Sequence, residues 1–267
     1  MTEPAVDADS AEHAIARIAA APRLLVALDF DGTLAPLQDE PMRSRAIPEA
    51  VAAIARLVAL PETTVALVSG RTIADLRVIA EHEDESPVWL VGSHGVEHWR
   101  PLGIEASDDG ADDAEQRALS ERLRVEAKRI VAGAEGAWIE DKAVGFGVHT
   151  RLTPPALAPG VHDAVAALVA REAPDWRART GNNLTEYTWR HEGKDAAVAR
   201  LREETGATAV LFAGDDVTDE DALATLGPAD LGVRVGEGET SASVRVADAR
   251  EFARLLDRLA DARAARV

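Results

Sequence analysis

The sequence predicts an α/β fold, a parallel sheet with helices on both faces, interrupted by a smaller inserted α+β unit. Three observations predict it. Short runs rich in Val, Leu and Ile at 24–28, 64–68, 88–91 and 209–213 show no alternation with polar residues, the pattern of strands buried on both faces. Alanine-rich amphipathic segments at 47–60, 71–81, 194–205 and 248–262 lie between or after them, and strands alternating with helices in this way form βαβ units. From about Pro101 to Arg190 the alternation stops.

That central stretch begins with a polar acidic linker, "EASDDGADDAE", followed by a helix through 114–132 and a hairpin in "AWIEDKAVGFGVHTR". A proline-bounded helix at 159–171 comes next, then "WRARTGNNLTEYTW", two short alternating runs around a Gly-Asn-Asn turn. Helix, hairpin, helix, hairpin is a unit of its own. The expected domains are residues 1–100 and 191–267, forming the α/β core, and 101–190, forming the insert. No internal repeat is long enough to suggest a solenoid.

Composition narrows the function. A chain of 267 residues can bury a substantial core in one large or two modest domains. Its net charge of -18 and pI near 4.8 argue against nucleic acid or an anionic membrane surface as the main partner. The absence of cysteine removes disulfides, thiolate metal sites and cysteine nucleophiles. The N-terminal "MTEPAVDADSAEH" is acidic with no apolar h-region, and no run is long enough to span a bilayer. The expectation is a cytoplasmic monomer.

Chemistry gathers at the strand ends. "LLVALDFDGTLAPL" closes an apolar run on Asp29 and Asp31, then Gly32 and Thr33, where the backbone can turn sharply and expose N–H groups to an anion. A lone Asp-Gly would read as a turn with Asx or capping bonds, but "VLFAGDDVTDEDAL" repeats the pattern with Asp215, Asp216 and Asp219. Thr218 is expected to cap the following helix, with acids in its first turn favouring the dipole. Asp215 and Asp216 precede that cap. Carboxylates from two strand ends, with no histidine or cysteine beside them, specify a site for a hard cation such as magnesium. A third strand ends in "TVALVSGRTIADL", where Ser69 either caps a helix beginning near Arg71 or offers its hydroxyl, with freed N–H groups, to a phosphate. Only Lys128, Lys142 and Lys194 are lysines among 29 basic residues, so a compact point charge is expected where lysine is kept. Lys128 reads as a solvated helix residue, and Lys194 opens a helix after Gly193, within reach of a phosphate oxygen.

In chain order, "LDFDGTLAP", "VSGR", the lysine of "HEGKDAAV" and "GDDVTDED" resemble the four motifs of the haloacid dehalogenase-like phosphatases. The Pro36 ending of the first motif and the "GDDVTDE" form of the fourth resemble the trehalose-6-phosphate phosphatase family within it. The resemblance covers most of the chain and implies a Rossmann-like core whose insert is a cap. It also implies hydrolysis of trehalose 6-phosphate to trehalose and phosphate. Asp29 would be the nucleophile and form an aspartyl-phosphate, and Asp31 the acid and then base. Ser69 and Lys194 would complement the phosphate, with Gly32, Thr33, Gly70 and Arg71 lining its pocket. Magnesium would be held by Asp29, the carbonyl of Asp31 and Asp215, with Asp216 and Asp219 in supporting contacts.

The insert carries a second set of residues. Glu140 and Lys142 share one face of a strand, and His149 and Arg151 share a face of the returning one. They are similar to the family's Glu-x-Lys and His-x-Arg cap signature, which implies contacts with sugar hydroxyls, although an exposed hairpin with a cross-strand ion pair would place charges there too. "VGSHGVEHW" resembles the family's Gly-x-His-Gly-x-Glu, which implies a role for His94, and Glu186 in "LTEYTW" is a further candidate contact. Two departures stand out: Asp195 follows the motif lysine where the family has glycine, and no Arg-Pro follows Glu186. A phosphatase of another glycosyl phosphate and a silent regulatory module are the alternatives, the latter disfavoured because all four motifs are intact.

Overall fold

Five consecutive apolar residues, Leu24–Leu28, form β1, and all of them are buried. Such a strand needs cover on both faces. In the computed structural model, residues 8–104, 114–181, 183–190 and 192–266 are described. The expected acidic linker, apart from Ala114 and Glu115, and Asn182 of the expected turn lie outside them. The chain divides into two compact units, Met1–Glu105 with Glu192–Val267, and Ala106–His191.

The first unit is built on a seven-stranded sheet. From β1 the chain runs through α2 (Pro48–Val58), β2 (Thr63–Val68), α3 (Ile73–Ile79), β3 (Trp89–Gly92) and β4 (Glu97–Trp99). After the second unit it returns as α6 (Lys194–Thr205), β9 (Ala209–Gly214), α7 (Val217–Leu223), β10 (Leu231–Val235), β11 (Val244–Val246) and α8 (Ala249–Ala264). The strand order is β11-β10-β9-β1-β2-β3-β4, parallel except for β4, which pairs antiparallel with β3. Alternate residues of β1 serve opposite faces, as the two-residue period of a strand requires. Leu24, Val26 and Leu28 pack with α2, α3, α8 and the N-terminal helix α1 (Ala8–Ala19), while Leu25 and Ala27 pack with α6 and α7.

Each expected core strand and helix is present within a few residues. Helix α1, the short antiparallel β4, and strands β10 and β11 were not foreseen. In β10 and β11 an internal arginine, Arg234 or Arg245, interrupts runs of only five and three residues. In α1 the apolar Ile15 and Ile18 are diluted by charge.

The second unit holds α4 (Ala114–Val131), β5 (Trp138–Lys142), β6 (Gly145–His149), α5 (Ala158–Glu172), β7 (Arg177–Gly181) and β8 (Leu184–Thr188). Its antiparallel sheet has the order β5-β6-β8-β7. Phe146, Val148 and Tyr187 pack with the two helices, together with Trp176. By strand alternation, Glu140, Lys142, Gly147, His149 and Glu186 occupy the opposite face. No helix among the described residues is long and apolar enough to cross a membrane.

Candidate active site

The strands leave β1 toward β2 and β3 on one side, while β9, β10 and β11 lie on the other. The order reverses between β1 and β9, where a crevice opens at the strands' carboxyl ends. Asp29 follows β1 and its N–H donates to the Ala213 carbonyl of β9 at 2.9 Å, which sets it level with the loop carrying Asp215. Lys194, first residue of α6 after the Gly193 cap, is buried and donates to Asp29 Oδ1 and Asp219 Oδ1, both at 2.6 Å. Asp219 Oδ2 in turn accepts from the N–H groups of Asp215 and Asp216, each at 3.0 Å.

Asp29 Oδ2 is buried and has no hydrogen-bond partner. Oxygen atoms of Asp29, Asp215 and Asp219 lie within 4.8 Å of one another. Burial raises the Asp29 carboxyl well above its usual value, with Lys194 opposing and Asp219 adding to the rise. Burial and the charges of Asp219 and Asp216 push Asp215 up to about 6. Burial alone would lower Lys194, but Asp29 and Asp219 outweigh it and raise its pKa. One ammonium faces three converging carboxylates, and an all-oxygen donor set with an unpartnered buried oxygen fits a hard divalent cation.

The neighbouring candidates take varied positions. Asp31 is held by Arg71 in a two-point ion pair, Nε to Oδ2 at 2.5 Å and Nη2 to Oδ1 at 2.8 Å. Gly32 has φ +86°, and a Cβ there would collide with the Asp215 carboxylate. Its N–H is committed to the Ala35 carbonyl at 2.7 Å, so the expectation that the turn leaves its amides exposed fails at Gly32. The Thr33 hydroxyl is buried without a partner. Ser69 is buried and accepts from the Arg71 N–H at 3.2 Å, but the helix cap is Thr72, which accepts from the Asp75 N–H, and α3 begins at Ile73. A Cβ on Gly70 would lie 2.6 Å from the His94 ring, which places that imidazole against the "VSGR" turn. Asp216, not Thr218, caps α7, accepting from the N–H groups of Thr218 and Asp219. The chain turns into helix two residues earlier than expected because Asp216 and Asp219 form a reciprocal capping box.

In the second unit, Lys142 Nζ lies 3.0 Å from Glu140 Oε1 and 3.1 Å from Glu186 Oε1. His149 Nε2 lies 2.7 Å from Glu140 Oε2. Burial would raise Glu140, but the bonds and charges of His149 and Lys142 prevail and bring it to about 2. Burial would lower Lys142, but Glu186 and Glu140 raise it. Arg151 does not join them. It lies past the end of β6 in an exposed turn, beside a cavity lined by Thr150, His162 and Thr185, because β6 ends at His149 and the alternation ends with it.

Two positioning residues were not singled out from the sequence, although Glu97 is the glutamate of the quoted "VGSHGVEHW" motif. Arg234, buried, donates to the Asp216 carbonyl at 2.8 Å and the Glu237 carbonyl at 2.9 Å and pairs with Glu220 at 3.2 Å. A charge inside the run "LGVRV" was the available signal. Glu97 accepts from the Ser93 hydroxyl at 2.5 Å and the Ile73 N–H at 3.2 Å, holding Ser93 and His94 at φ +49° and +56°.

A parallel sheet with aspartates and a serine at its central strand ends, and a buried lysine opening helix α6 beside them, defines the class, and the fold is shared with solved haloacid dehalogenase-like hydrolases such as one from B. subtilis (TM-score 0.57, 15% identity, covering 87% of this chain and 98% of that one). Within that class, the trehalose-phosphatase family profile matches residues 27–251, and the chain belongs to that family. Among its relatives is a trehalose-phosphate phosphatase of Mycobacterium ulcerans, 30% identical over 227 residues, which are 82% of this chain and 55% of the relative. Another, of Mycolicibacterium paratuberculosis, is 32% identical over 212 residues, 74% of this chain and 50% of the relative. The chain spans about half the length of these relatives. The C. albicans trehalose-6-phosphate phosphatase C-terminal domain shares the fold at TM-score 0.74 and 20% identity, with 97% of this chain and 98% of that one covered.

Proposed function

We propose that the chain is a magnesium-dependent phosphoric monoester hydrolase that releases phosphate from trehalose 6-phosphate. The observation that carries this reading is the buried Asp29 carboxylate, with one oxygen fixed by Lys194 and the other unpartnered, at the point where the strand order reverses. The names of the relatives support the disaccharide phosphate as substrate.

Asp29 Oδ2 attacks phosphorus as the bond from phosphorus to the sugar oxygen breaks, and Asp31 gives that oxygen a proton. The resulting aspartyl-phosphate is hydrolysed when Asp31 takes a proton from water and the hydroxyl oxygen attacks phosphorus, freeing phosphate and restoring Asp29. Arg71 fixes the orientation of the Asp31 carboxylate. Lys194 and the Ser69 hydroxyl complement the phosphoryl oxygens, so that catalysis is placement and charge neutralisation. Asp29, the carbonyl of Asp31 and Asp215 would hold magnesium, with Asp216 and Asp219 supporting. When bound, the ion supplies positive charge to a site that otherwise repels a phosphate ester. The second unit would serve as the cap, with Glu140, Lys142, His149 and Glu186 receiving the sugar hydroxyls.

Phosphate release with magnesium from trehalose 6-phosphate, sucrose 6-phosphate and glucose 6-phosphate tests the reading. A large kcat/KM preference for trehalose 6-phosphate supports it, and activity concentrated on another sugar replaces the substrate while keeping the chemistry. Asp29→Asn is expected to abolish release with the circular dichroism spectrum unchanged. Turnover near wild type in that variant would remove Asp29 as nucleophile.

A further inference from the structure

Three tryptophans lie in the second unit, and two of them do what tryptophans ordinarily do. Trp176 and Trp189 pack ring to ring at 5.5 Å within the aromatic cluster that includes Phe146. Trp138 does not. It stands at the start of β5, is 38% exposed, and lies parallel to the imidazole of His149, with centroids 4.5 Å apart and planes 4° from each other. The two residues are cross-strand partners in the β5–β6 register. The imidazole covers one face of the indole, so a ring stacking on Trp138 would use the opposite face.

The surroundings of this stack are polar in a particular way. His149 is bonded to Glu140, Glu140 to Lys142, and Lys142 to Glu186, so an aromatic surface and a row of fixed planar and charged groups share one sheet face. Gly147 sits between them, paired with Glu140 on one side and Glu186 on the other. A Cβ there would come within 3.2 Å of Leu184 Cδ1 and 3.4 Å of Glu140 Oε2, so glycine keeps the floor of the row flat. A phosphate group is poorly served by a lysine already flanked by two carboxylates. A pyranose ring is well served: its axial C–H bonds present positive charge to the negative face of an indole, while its equatorial hydroxyls donate to carboxylates and accept from the ammonium.

We propose that Trp138, backed by His149, is the stacking platform for a pyranose ring of the substrate, and so sets the preference for glycosyl phosphates over small phosphate esters. The proposal rests on the phosphatase reading above. The competing role is structural, since aromatic cross-strand pairs also stabilise hairpins, and the two roles give different kinetics.

The test begins with the sugar phosphate that wild type prefers, so a wrong sugar in the functional reading does not decide the outcome. Trp138→Ala is expected to lower kcat/KM for that substrate roughly tenfold, mostly through KM, and to lower it on p-nitrophenyl phosphate less than about twofold. Trp138→Phe should restore most of the loss. Equal losses on both substrates, or none on the sugar phosphate, overturn the platform, and a wild type that prefers the aryl ester does so as well. Contact itself is read by 19F NMR on 5-fluorotryptophan-labelled Asp29→Asn protein. The resonance that disappears in the additional Trp138→Phe variant should move on titration with the preferred sugar phosphate, whereas one that stays put at saturation removes Trp138 from the sugar site.

Discussion

At the scale of single residues, Glu140 is the clearest case of a side chain whose state is set by its neighbours. His149 and Lys142 hold its carboxyl near 2, against a usual value near 4.5. A depressed carboxyl stabilises the fold above the unfolded value and loses that contribution as pH falls toward the folded one. The stabilisation is therefore complete above about pH 4.5 and fades toward pH 2. Thermal melts of wild type and Glu140→Gln should differ most above pH 4.5 and converge as pH is lowered, and a gap that stays constant would mean that the ionised carboxylate contributes nothing. Glu140 and Lys142 were legible as a pair because β-strand alternation is a sequence property, whereas Glu186 joins them only through the register of β6 with β8. The partner of Asp31 was not legible, because Arg71 lies 40 residues away in sequence and meets it only across two strand ends.

At the scale of elements, the capping of α7 carries function and stability together. Asp216 bonds the first turn while Asp219 reaches back to the backbone N–H groups of Asp215 and Asp216. Removing the cap with Asp216→Ala is expected to cost roughly 1 kcal/mol, read as a fall of about 2 to 4 °C in melting temperature for a chain of this size. Asp216→Ser, which can still cap, should recover most of it. The core strands and helices were readable because apolar runs and amphipathic periods repeat within each element. The ends were less so, since Asp216 and Thr218 are both favoured capping residues and the turn geometry selects between them. Strands β4 and β11 escaped because three residues carry no period. The end of β6 hid in the same way, and Arg151 with it.

At the scale of the whole molecule, a net charge of -18 and three converging carboxylates favour a folded state completed by a cation. A ligand that binds only the native chain stabilises it by about 2.7 kcal/mol at 100 times its Kd. Magnesium at that excess should raise the melting temperature by roughly 5 to 10 °C, with EDTA reversing the shift and Asp215→Asn reducing it. An unchanged melting temperature at saturating magnesium would remove the carboxylate group as a cation site. The same molecule meets a quite different hazard at its margins. The seven-stranded sheet ends in β4 and β11, each only three residues long, and the smaller sheet ends in β5 and β7. Every one of these strands carries a charge: Glu97, Arg245, Glu140 with Asp141 and Lys142, or Arg177 with Arg179. Margins that are short or charged offer a passing chain a poor template for edge-to-edge pairing; shortness and charge are the devices by which sheets ordinarily guard against amyloid-like stacking.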